Sequence, residues 1–382
     1  MTGSIHEWRR GRLGVEVPVG DAGGVPGSPG PPGPGPVPPL RQGHAGRTAA
    51  ATPEDDRPLQ PRWCPLRGVG HRDARAAGAR LGHRLVLPAQ ARAPRGVLRR
   101  SARQPGGRLH PDAGYVNDPR LAAANLAAAA AHRGARFAFR QRVTSLTRAG
   151  TVWRATIDGR DPVEAPVVVN AAGPRSSAVK RMVGATDDFT IGVAPMRQEV
   201  HHVPAPSQLL APDAEFFVIS DMDLGTYMRP ETGGNLLVGG TEPECDPLEW
   251  IEDPDAANPH PTVARFEAQV TRAARRFPDL TVPNRPQGVA GVYDVADDWT
   301  PIYDKTALPG FYVAIGTSGN QFKNAPIIGS LMDRIIDSVE NGHDHDADPV
   351  HYTCPHAGHD VDLGTFSRKR EANTESSGTV LG

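Results

Sequence analysis

The first part of this chain lacks most of the residue types that build a protein core. Upstream of residue 105 the sequence contains no Lys, Phe or Tyr, and its single isoleucine is Ile5. Arg, Pro, Gly and Ala are abundant there, and the arginines of residues 67–103 fall in every phase of the helical and strand periods. Such a segment has no apolar face to bury, so we expect residues 1–105 to be disordered or non-native.

Other absences exclude whole classes of protein. The three cysteines, Cys64, Cys245 and Cys354, are too few and too scattered for a disulfide framework, which favours a reducing cytoplasm. The longest apolar stretches, Leu121–Ala131 and Val167–Ala172, fall far short of the roughly 20 residues that a membrane span needs. No signal peptide is visible, and a formal net charge of −1 provides no field for nucleic acid or anionic membrane. We therefore expect a soluble cytoplasmic protein without nucleic-acid or membrane partners.

The composition of residues 1–105 is typical of a GC-rich gene read in a shifted frame. Arg, Pro, Gly and Ala dominate GC-rich codons in any frame, whereas Lys, Phe, Tyr and Ile do not. A basic tail for nucleic acid is the alternative, but no aromatic platform accompanies the arginines. We favour the frame-shift hypothesis.

Downstream of residue 105 the sequence predicts regular elements. Asp118 can cap a helix that begins at Pro119, continues through the Ala-rich Leu121–His132 and ends before Gly134. Alternating patterns then predict strands at Arg136–Val143, Thr151–Ile157 and Pro162–Asn170, the last two joined through Asp158-Gly159.

The stretch Val167–Gly173 is typical of a buried parallel strand that ends in small residues. Ligands of open α/β sheets bind beyond the carboxyl ends of the strands, and small residues allow a ring system to approach the backbone. A later stretch predicts an antiparallel meander at Phe216–Ser220, Gly225–Arg229 and Asn235–Gly240. An amphipathic helix at Asp255–Phe277 follows.

The strongest motif is Gly310–Pro326, which follows a strand predicted at Gln287–Asp294. An apolar strand, Phe311–Ile315, leads into a glycine loop, and Pro326 is placed to begin a helix to about Asn341. The free amides at such a helix start favour an anion or an electron-rich carbonyl.

From about residue 105 to its end, the chain resembles the FAD-dependent D-amino-acid oxidase superfamily, nearest its glycine and sarcosine oxidase-like branch. The motifs that carry the resemblance are Pro111–Val116, Val168–Pro174, Tyr227–Glu231 with Leu237–Gly240, and Gly316–Pro326. Their order and spacing together are specific. The resemblance implies an α/β fold in which an FAD-binding nucleotide domain is joined to an antiparallel-sheet substrate domain.

The resemblance also implies site residues. The positions that match FAD-contacting residues are Val143, Ala171, Ala172, Gly173, Gly316, Ser318, Gly319, Asn320, Gln321 and Phe322. Lys323 matches a residue that binds the substrate carboxylate in sarcosine oxidase-like members, and Tyr227 lies on a strand that lines the substrate pocket.

The chain departs from the family pattern in two places. The family opens with a strand, a GxGxxG turn and a helix that hold the FAD pyrophosphate, and residues 1–105 contain no such unit. Gly68-Val-Gly70 lacks both a preceding apolar strand and the third glycine. The nucleotide domain is therefore expected to be incomplete, without its N-terminal βαβ unit. Gly291 stands where some relatives carry a cysteine linked to flavin, so FAD is expected to be non-covalent.

These expectations divide the chain and assign it a reaction. Residues 106–190 and 285–342 would form the FAD-binding domain, 191–284 the substrate domain and 343–382 a polar tail. The implied activity is oxidation of the C–N bond of a small amino acid or N-methyl amino acid, with oxygen or an electron-carrier protein as acceptor. The alternatives are a 2-hydroxy-acid dehydrogenase on the same scaffold and an inactive remnant of a frame-shifted gene.

Each candidate residue also has a purely structural interpretation. Lys323 could lie on the surface, Tyr227 in the core, and Arg197 and Arg229 on an ordinary sheet face. Gly316 and Gly319 could serve the turn alone. The tail contains several His and one Cys, but no second paired set of ligands, so we expect a solvated segment without metal.

Overall fold

The structure is a computed structural model, and it describes residues 47–50, 108–110, 115–116, 118–209, 217–231 and 233–381. Most of the segment predicted to be non-native, including Gly68-Val-Gly70, lies outside the described residues. The α-helices are α1 Pro119–His132, α2 Ser176–Val183, α3 Val263–Ala274 and α4 Ala325–Glu340. The strands are β1 Arg47–Ala50, β2 Arg108–His110, β3 Val143–Ala149, β4 Val152–Ile157, β5 Val163–Ala165, β6 Val168–Asn170, β7 Val193–Pro204, β8 Phe217–Asp221, β9 Thr226–Glu231, β10 Asn235–Gly240, β11 Glu249–Trp250, β12 Gly288–Ala296, β13 Ile302–Lys305, β14 Phe311–Ile315, β15 His351–Thr353 and β16 Asp360–Asp362.

The largest sheet is built on the long strand β7. Its strand order is β11-β7-β10-β9-β8-β1-β2, and β12 also pairs with β7. All these pairs are antiparallel except β1 with β8. The predicted meander is therefore present as β8, β9 and β10, and Gly233 and Gly234 make its second turn with positive φ.

The two faces of this sheet have different partners, as the period of two in a strand requires. Met228, Leu236 and Val238 pack against α3, which contributes Phe266 and Val270 among others. The opposite face, which we call the inner face, is formed by Met196, Val200, Tyr227 and Leu237. Helix α3 therefore covers one side of the sheet and leaves the inner face to other parts of the chain.

A smaller sheet has the order β13-β14-β6. Strand β14 is parallel to β6, with Val313 opposite Asn170. Tyr312 packs with Leu331 and Ile335 of α4, whereas Phe311, Val313 and Ile315 face a second cluster that includes Trp153. This alternation shows that β14 is buried on both faces, as the continuous apolar run predicts.

The third sheet has the order β3-β4-β5, and α1 precedes it in the chain. Helix α1 has the predicted cap, because Asp118 Oδ1 accepts the Leu121 amide at 2.8 Å. The strand predicted at Arg136–Val143 is wrong, since the strand begins at Val143. Arg140 has a φ of 57° and Phe139 is 75% exposed, so the alternating pattern there has no surface to pack on.

Helix α3 is shorter than the predicted Asp255–Phe277. Pro259 and Pro261 keep the preceding residues out of the helix, because proline disfavours helical backbone in the residue before it. The helix begins instead after Thr262, whose Oγ1 accepts the Arg265 amide at 3.4 Å. The amphipathic pattern located the helix but not its start.

Residues 343–381 are only partly solvated, which corrects the expectation of a polar tail. The β15–β16 hairpin packs Tyr352 and Val361 beside α4. Arg368 is completely buried, with bonds to Asp304 and Asp346. Within the part of the chain that the structure describes, no three His, Cys, Asp or Glu side chains are grouped so as to hold a metal ion. No helix of that part has the length and apolarity of a membrane span.

Candidate functional site

The carboxyl ends of β6 and β14 meet at one edge of the smaller sheet. Because Val313 lies opposite Asn170 in a parallel pair, the residues that follow each strand are neighbours. Asn170 fixes its own turn, donating from Nδ2 to the Ser176 carbonyl at 3.0 Å and accepting the Ala172 amide at 3.2 Å. Ala171 and Ala172 are exposed. The sequence motifs at Ala171–Gly173 and Gly316–Phe322 therefore lie at the same edge of this sheet.

The loop after β14 has left-handed backbone at Gly316, Ser318 and Gly319, with φ values of 69°, 48° and 72°. A Cβ at Gly319 would lie 2.4 Å from a ring carbon of Tyr293. Glycine is required at position 319 both for its backbone and for this ring contact. Tyr293 therefore lies directly against the loop.

Asp294 holds the loop in place, and sequence reasoning missed it. Its Oδ2 accepts the Gly316 amide at 2.8 Å, its carbonyl accepts the Ser318 amide at 2.9 Å, and the Thr317 hydroxyl donates to Oδ1. Burial raises the pKa of Asp294, and the hydrogen bonds from Thr317 and Gly316 offset part of that rise. No local motif marks this carboxylate, because its partners lie more than 20 residues away in the chain.

The polar side chains of the loop are bonded inside the protein. The bonds are Ser318 Oγ to the Gly316 carbonyl at 3.2 Å, Asn320 Nδ2 to the Trp299 carbonyl at 3.4 Å, and Tyr303 hydroxyl to Gln321 Oε1 at 3.0 Å. These side chains fix the shape of the loop, and the Gly316, Ser318 and Asn320 amides also donate inside the protein.

Lys323 lies in a short 3-10 turn, Gln321–Asn324, that precedes α4. The helix that follows spans Ala325–Glu340, which confirms the prediction of a helix from Pro326 to about Asn341. Lys323 and Phe322 are half-buried. Burial lowers the pKa of Lys323 to about 8, and no carboxylate among the described residues pairs with its ammonium. A buried cation without a counter-ion is costly, so this position favours an anionic ligand.

Tyr227 lies on the inner face of the large sheet and is 6% exposed. Its ring crosses Gly239 of β10, where a Cβ would come within 2.3 Å of the ring. Tyr293 and Trp299 belong to the same cluster as Tyr227, and Tyr293 also touches the glycine loop. The inner face and the loop therefore border one continuous region.

The two candidate arginines differ in their surroundings. Arg197 is almost completely buried and is bonded to Glu199 at 2.6 Å and Glu249 at 2.8 Å. It lies on the α3 side of β7, opposite the inner face. Arg229 shares the face of Tyr227, lies 5.2 Å from the Tyr115 ring centre and pairs with Glu231 at 3.1 Å. Arg229 is therefore the arginine that borders the candidate site.

Val143 lies at the start of β3, in a different sheet from the loop, and is 37% exposed. Its contact with the adenine side of a bound nucleotide stays a prediction. Of the motif Pro111–Val116, Tyr115 and Val116 are described, and residues 111–114 lie outside the described part of the chain.

Comparison with known proteins decides the family. The model of the family described as DAO, FAD dependent oxidoreductase, matches residues 47–335. The chain belongs to this family. The match begins well upstream of residue 105, so the likeness extends further than the sequence motifs indicate.

Curated relatives share part of this chain. It is similar to FAD-dependent oxidoreductase domain-containing protein 1 of Bos taurus, with 29% identity over 187 residues, which are 46% of this chain and 36% of the relative. The Mus musculus protein of the same description is 29% identical over 185 residues, with the same shares covered. The chain thus spans about a third of the length of the curated relatives it matches.

Solved structures share the fold. L-proline dehydrogenase from P. horikoshii superposes with a TM-score of 0.54 at 16% identity, covering 70% of this chain and 63% of that one. Glycine oxidase from Geobacillus kaustophilus gives 0.51 at 23% identity, covering 64% and 60%. L-amino acid deaminase from Proteus vulgaris gives 0.53 at 13% identity, covering 86% and 78%. At these identities the likeness shows the fold alone, a mixed α/β chain with an antiparallel sheet.

The described residues fit the flavin end of FAD. Ala171 and Ala172 at this edge are small and exposed, and the polar side chains of the neighbouring loop are held by internal bonds. Strand β6 has no further partner among the described strands, so this edge is open to a ligand or another element. These features match a site for a flat, hydrogen-bonding ring system.

Proposed function

We propose that this DAO-family chain oxidises the carbon–nitrogen bond of a small amino acid or N-methyl amino acid. The observation that carries the proposal is the half-buried ammonium of Lys323, which follows the glycine loop and has no carboxylate partner among the described residues. A substrate carboxylate would supply the missing negative charge.

The remaining residues would position the substrate. The inner face offers Tyr227 and an apolar lining to the substrate carbon, and Arg229, paired with Glu231, lies at its border. A dry, apolar lining also favours the neutral form of the substrate amine, which is the form that can be oxidised. Binding and orientation are the protein's main contributions to such a reaction.

FAD supplies the redox chemistry when bound, because its ring accepts a hydride from the carbon next to nitrogen. The edge at Ala171–Gly173 and the loop Gly316–Phe322 would hold its ring, without a covalent bond at Gly291. Loop amides other than those of Gly316 and Ser318, which donate to Asp294, would favour negative charge on the pyrimidine end of the ring. Asp294 would keep the loop in place.

The domain division, electron acceptor and location are part of the proposal. Residues 106–190 and 285–342 would bind FAD, and 191–284 would bind the substrate, with β12 joining the two through its pairing with β7. Oxygen or an electron-carrier protein would reoxidise the flavin. The cytoplasm is the proposed location.

The proposal is tested by loading the purified protein with FAD and following the flavin absorbance without oxygen. Sarcosine or glycine is expected to bleach the yellow band, whereas a 2-hydroxy acid of similar size is expected to leave it unchanged. Bleaching by the hydroxy acid alone would assign the alternative function, a 2-hydroxy-acid dehydrogenase, because hydride transfer from C–OH uses the same geometry.

A second candidate is an inactive remnant of a frame-shifted gene. The observation that favours it is the edge of β6, which no other described strand covers. Reading the gene in the other two frames upstream of codon 105 tests it. A strand followed by a GxGxxG turn in either frame supports the remnant, and its absence from both frames removes the frame-shift hypothesis.

A further inference from the structure

The segment after Arg370 returns to the large sheet. Asp298 anchors its start, because the Arg370 guanidinium donates to both carboxylate oxygens, at 3.0 and 2.8 Å, and the Asn373 amide donates at 3.0 Å. Burial alone would raise the pKa of Asp298, but these bonds outweigh it and hold the pKa below its usual value. The chain is therefore fixed at residues 370–373, next to Trp299.

Residues 371–378 are mostly exposed, and they form turns closed by their own side chains. The Gly378 amide donates to Ser376 Oγ at 3.3 Å, and the Leu381 amide donates to Thr379 Oγ1 at 3.1 Å. A stretch with few contacts to the rest of the protein opens at low free-energy cost.

The far end of the segment is buried on the inner face. Val380 is 3% exposed and belongs to the cluster that contains Met196, Tyr227 and Trp299. Leu381 packs against the same cluster. The inner face is the face that the proposed function assigns to the substrate.

A single backbone hydrogen bond latches this end. The Val380 amide donates to Glu242 Oε2 at 2.7 Å, while Gln198 of β7 donates to the other oxygen at 2.9 Å. Burial raises the pKa of Glu242 to about 8, and the Val380 bond offsets part of that rise. Glu242 is held in left-handed backbone, with a φ of 46°. The latch thus consists of a buried carboxyl group aimed at the segment rather than at a charged partner.

We propose that residues 376–381 form a strap that covers the inner face and excludes ligand until it is released. The strap is anchored at Asp298 and latched at Glu242, and its exposed middle allows the latched end to leave without disturbing the sheet. The choice of ligand in the second experiment below rests on the proposed function, whereas the coverage of the inner face does not.

The first experiment is hydroxyl-radical footprinting of the full chain, with oxidation read out by mass spectrometry. Val380→Asp places a carboxylate among apolar side chains and is expected to release the strap. The reactivity of Met196, Tyr227 and Trp299 should then rise several-fold. Ala372→Asp adds the same charge to the exposed part of the segment and should leave all three protected.

Trp153 reports on the fold, since it is buried in a separate cluster and should stay unreactive in both variants. Val380→Ala is the milder second variant, with a smaller change in the same direction expected. Protection of Tyr227 and Trp299 that survives in both Val380 variants would overturn the strap.

The second experiment measures benzoate binding by calorimetry, because benzoate combines an apolar ring with a carboxylate. Release of the strap is expected to tighten binding by about tenfold in Val380→Asp relative to the wild type and Ala372→Asp. Equal affinities of the three proteins would overturn the proposal, and if none of them binds benzoate the footprinting result alone decides it. Failure of sarcosine to bleach the flavin would instead contradict the proposed function, and the footprinting and calorimetry would still test the strap.

Discussion

At the scale of single residues, the charge of Lys323 is the property that most constrains function. Lysine is rare in this chain, and this one follows the glycine loop without a carboxylate partner among the described residues. Burial lowers its pKa to about 8, which means that the folded protein destabilises the ammonium form relative to water. A bound carboxylate would remove that cost.

Replacement of Lys323 by methionine should weaken substrate binding. A charge-assisted hydrogen bond contributes about 1.5–3 kcal/mol, so KM for sarcosine should rise by roughly 10- to 100-fold with a smaller change in kcat. Steady-state kinetics measure this, with Lys323→Arg expected to retain most of the affinity. Lys369→Met, at an exposed lysine, is the matched control, and an unchanged KM in Lys323→Met would exclude the carboxylate contact.

The affinity for benzoate should depend on pH in a direction set by Lys323. The ammonium is present below its pKa of about 8 and is lost above it, so binding should weaken as pH rises from 7 to 10. The limiting slope is about tenfold per pH unit for loss of one proton. Calorimetry across this range measures it, and Lys323→Met should flatten the curve.

Glu242 could contribute to the same pH dependence, because its pKa is also raised to about 8 and its ionisation would place negative charge at the inner face. Glu242→Gln separates the two groups. If the pH dependence of benzoate binding persists in Lys323→Met and disappears in Glu242→Gln, it arises from Glu242 and our assignment to Lys323 is wrong.

At the scale of secondary-structure elements, the sequence predicted those that depend on local signals. Strand β14 spans Phe311–Ile315 as predicted, because a continuous apolar run between glycines specifies a strand buried on both faces. Helix α1 begins at Pro119 after the Asp118 cap, again from local residue types. The closeness of the glycine loop to Asn170 was implied by the family resemblance, which assigns both segments to FAD, and not by the strand pattern.

Elements that depend on distant partners were not predictable in the same way. The alternating residues 136–143 look like a strand, but no described strand pairs with residues 136–142, and β3 begins only at Val143. The bonds of Asp294 to the loop and of Val380 to Glu242 join residues far apart in the chain. The residues next to either carboxyl group in the sequence do not predict its partner.

Gly319→Ala should disrupt the contact between the loop and β12. A Cβ would lie 2.4 Å from the Tyr293 ring at a residue with a φ of 72°. Left-handed strain and overpacking each cost about 1–3 kcal/mol, so the free energy of unfolding should fall by about 2–6 kcal/mol. Urea denaturation measures this.

Gly329→Ala is the matched control for that change. A Cβ at Gly329 meets no atom within 4 Å and lies in α4, so this variant should be stabilised by up to about 1 kcal/mol. In the double variant Gly319→Ala with Tyr293→Ala, the overpacking should be absent and the backbone strain should remain. Equal stabilities of Gly319→Ala and the wild type would contradict the assigned contact.

At the scale of the whole molecule, a buried ionic cluster ties residues 343–381 to the smaller sheet. Arg368 is completely buried and bonds Asp188, Asp304 and Asp346 at 2.6 to 2.9 Å. Burial alone would raise the pKa of Asp346, but the bonds from Arg368 and its neighbours outweigh it and hold the pKa well below its usual range. These contacts fix the start of the segment that carries the strap.

Arg368→Met should destabilise the protein strongly. It leaves Asp304 buried without its cation, and removal of one partner of a buried ion pair costs about 3–5 kcal/mol. Arg181→Met, at an exposed arginine, should change stability by less than about 0.5 kcal/mol. Urea denaturation of both proteins checks the difference, and equal values would show that the cluster contributes nothing to stability.

Large apolar side chains of α1 and of the segments that follow it are in contact with water, among them Leu126, Phe139 and Val163, which are 53%, 75% and 53% exposed. Exposed apolar side chains of this size favour self-association in concentrated solution. We expect light scattering to detect growing particles as the sample is concentrated, and Phe139→Ser together with Leu126→Gln to reduce them. Handling the purified protein will therefore require dilute samples or a mild detergent.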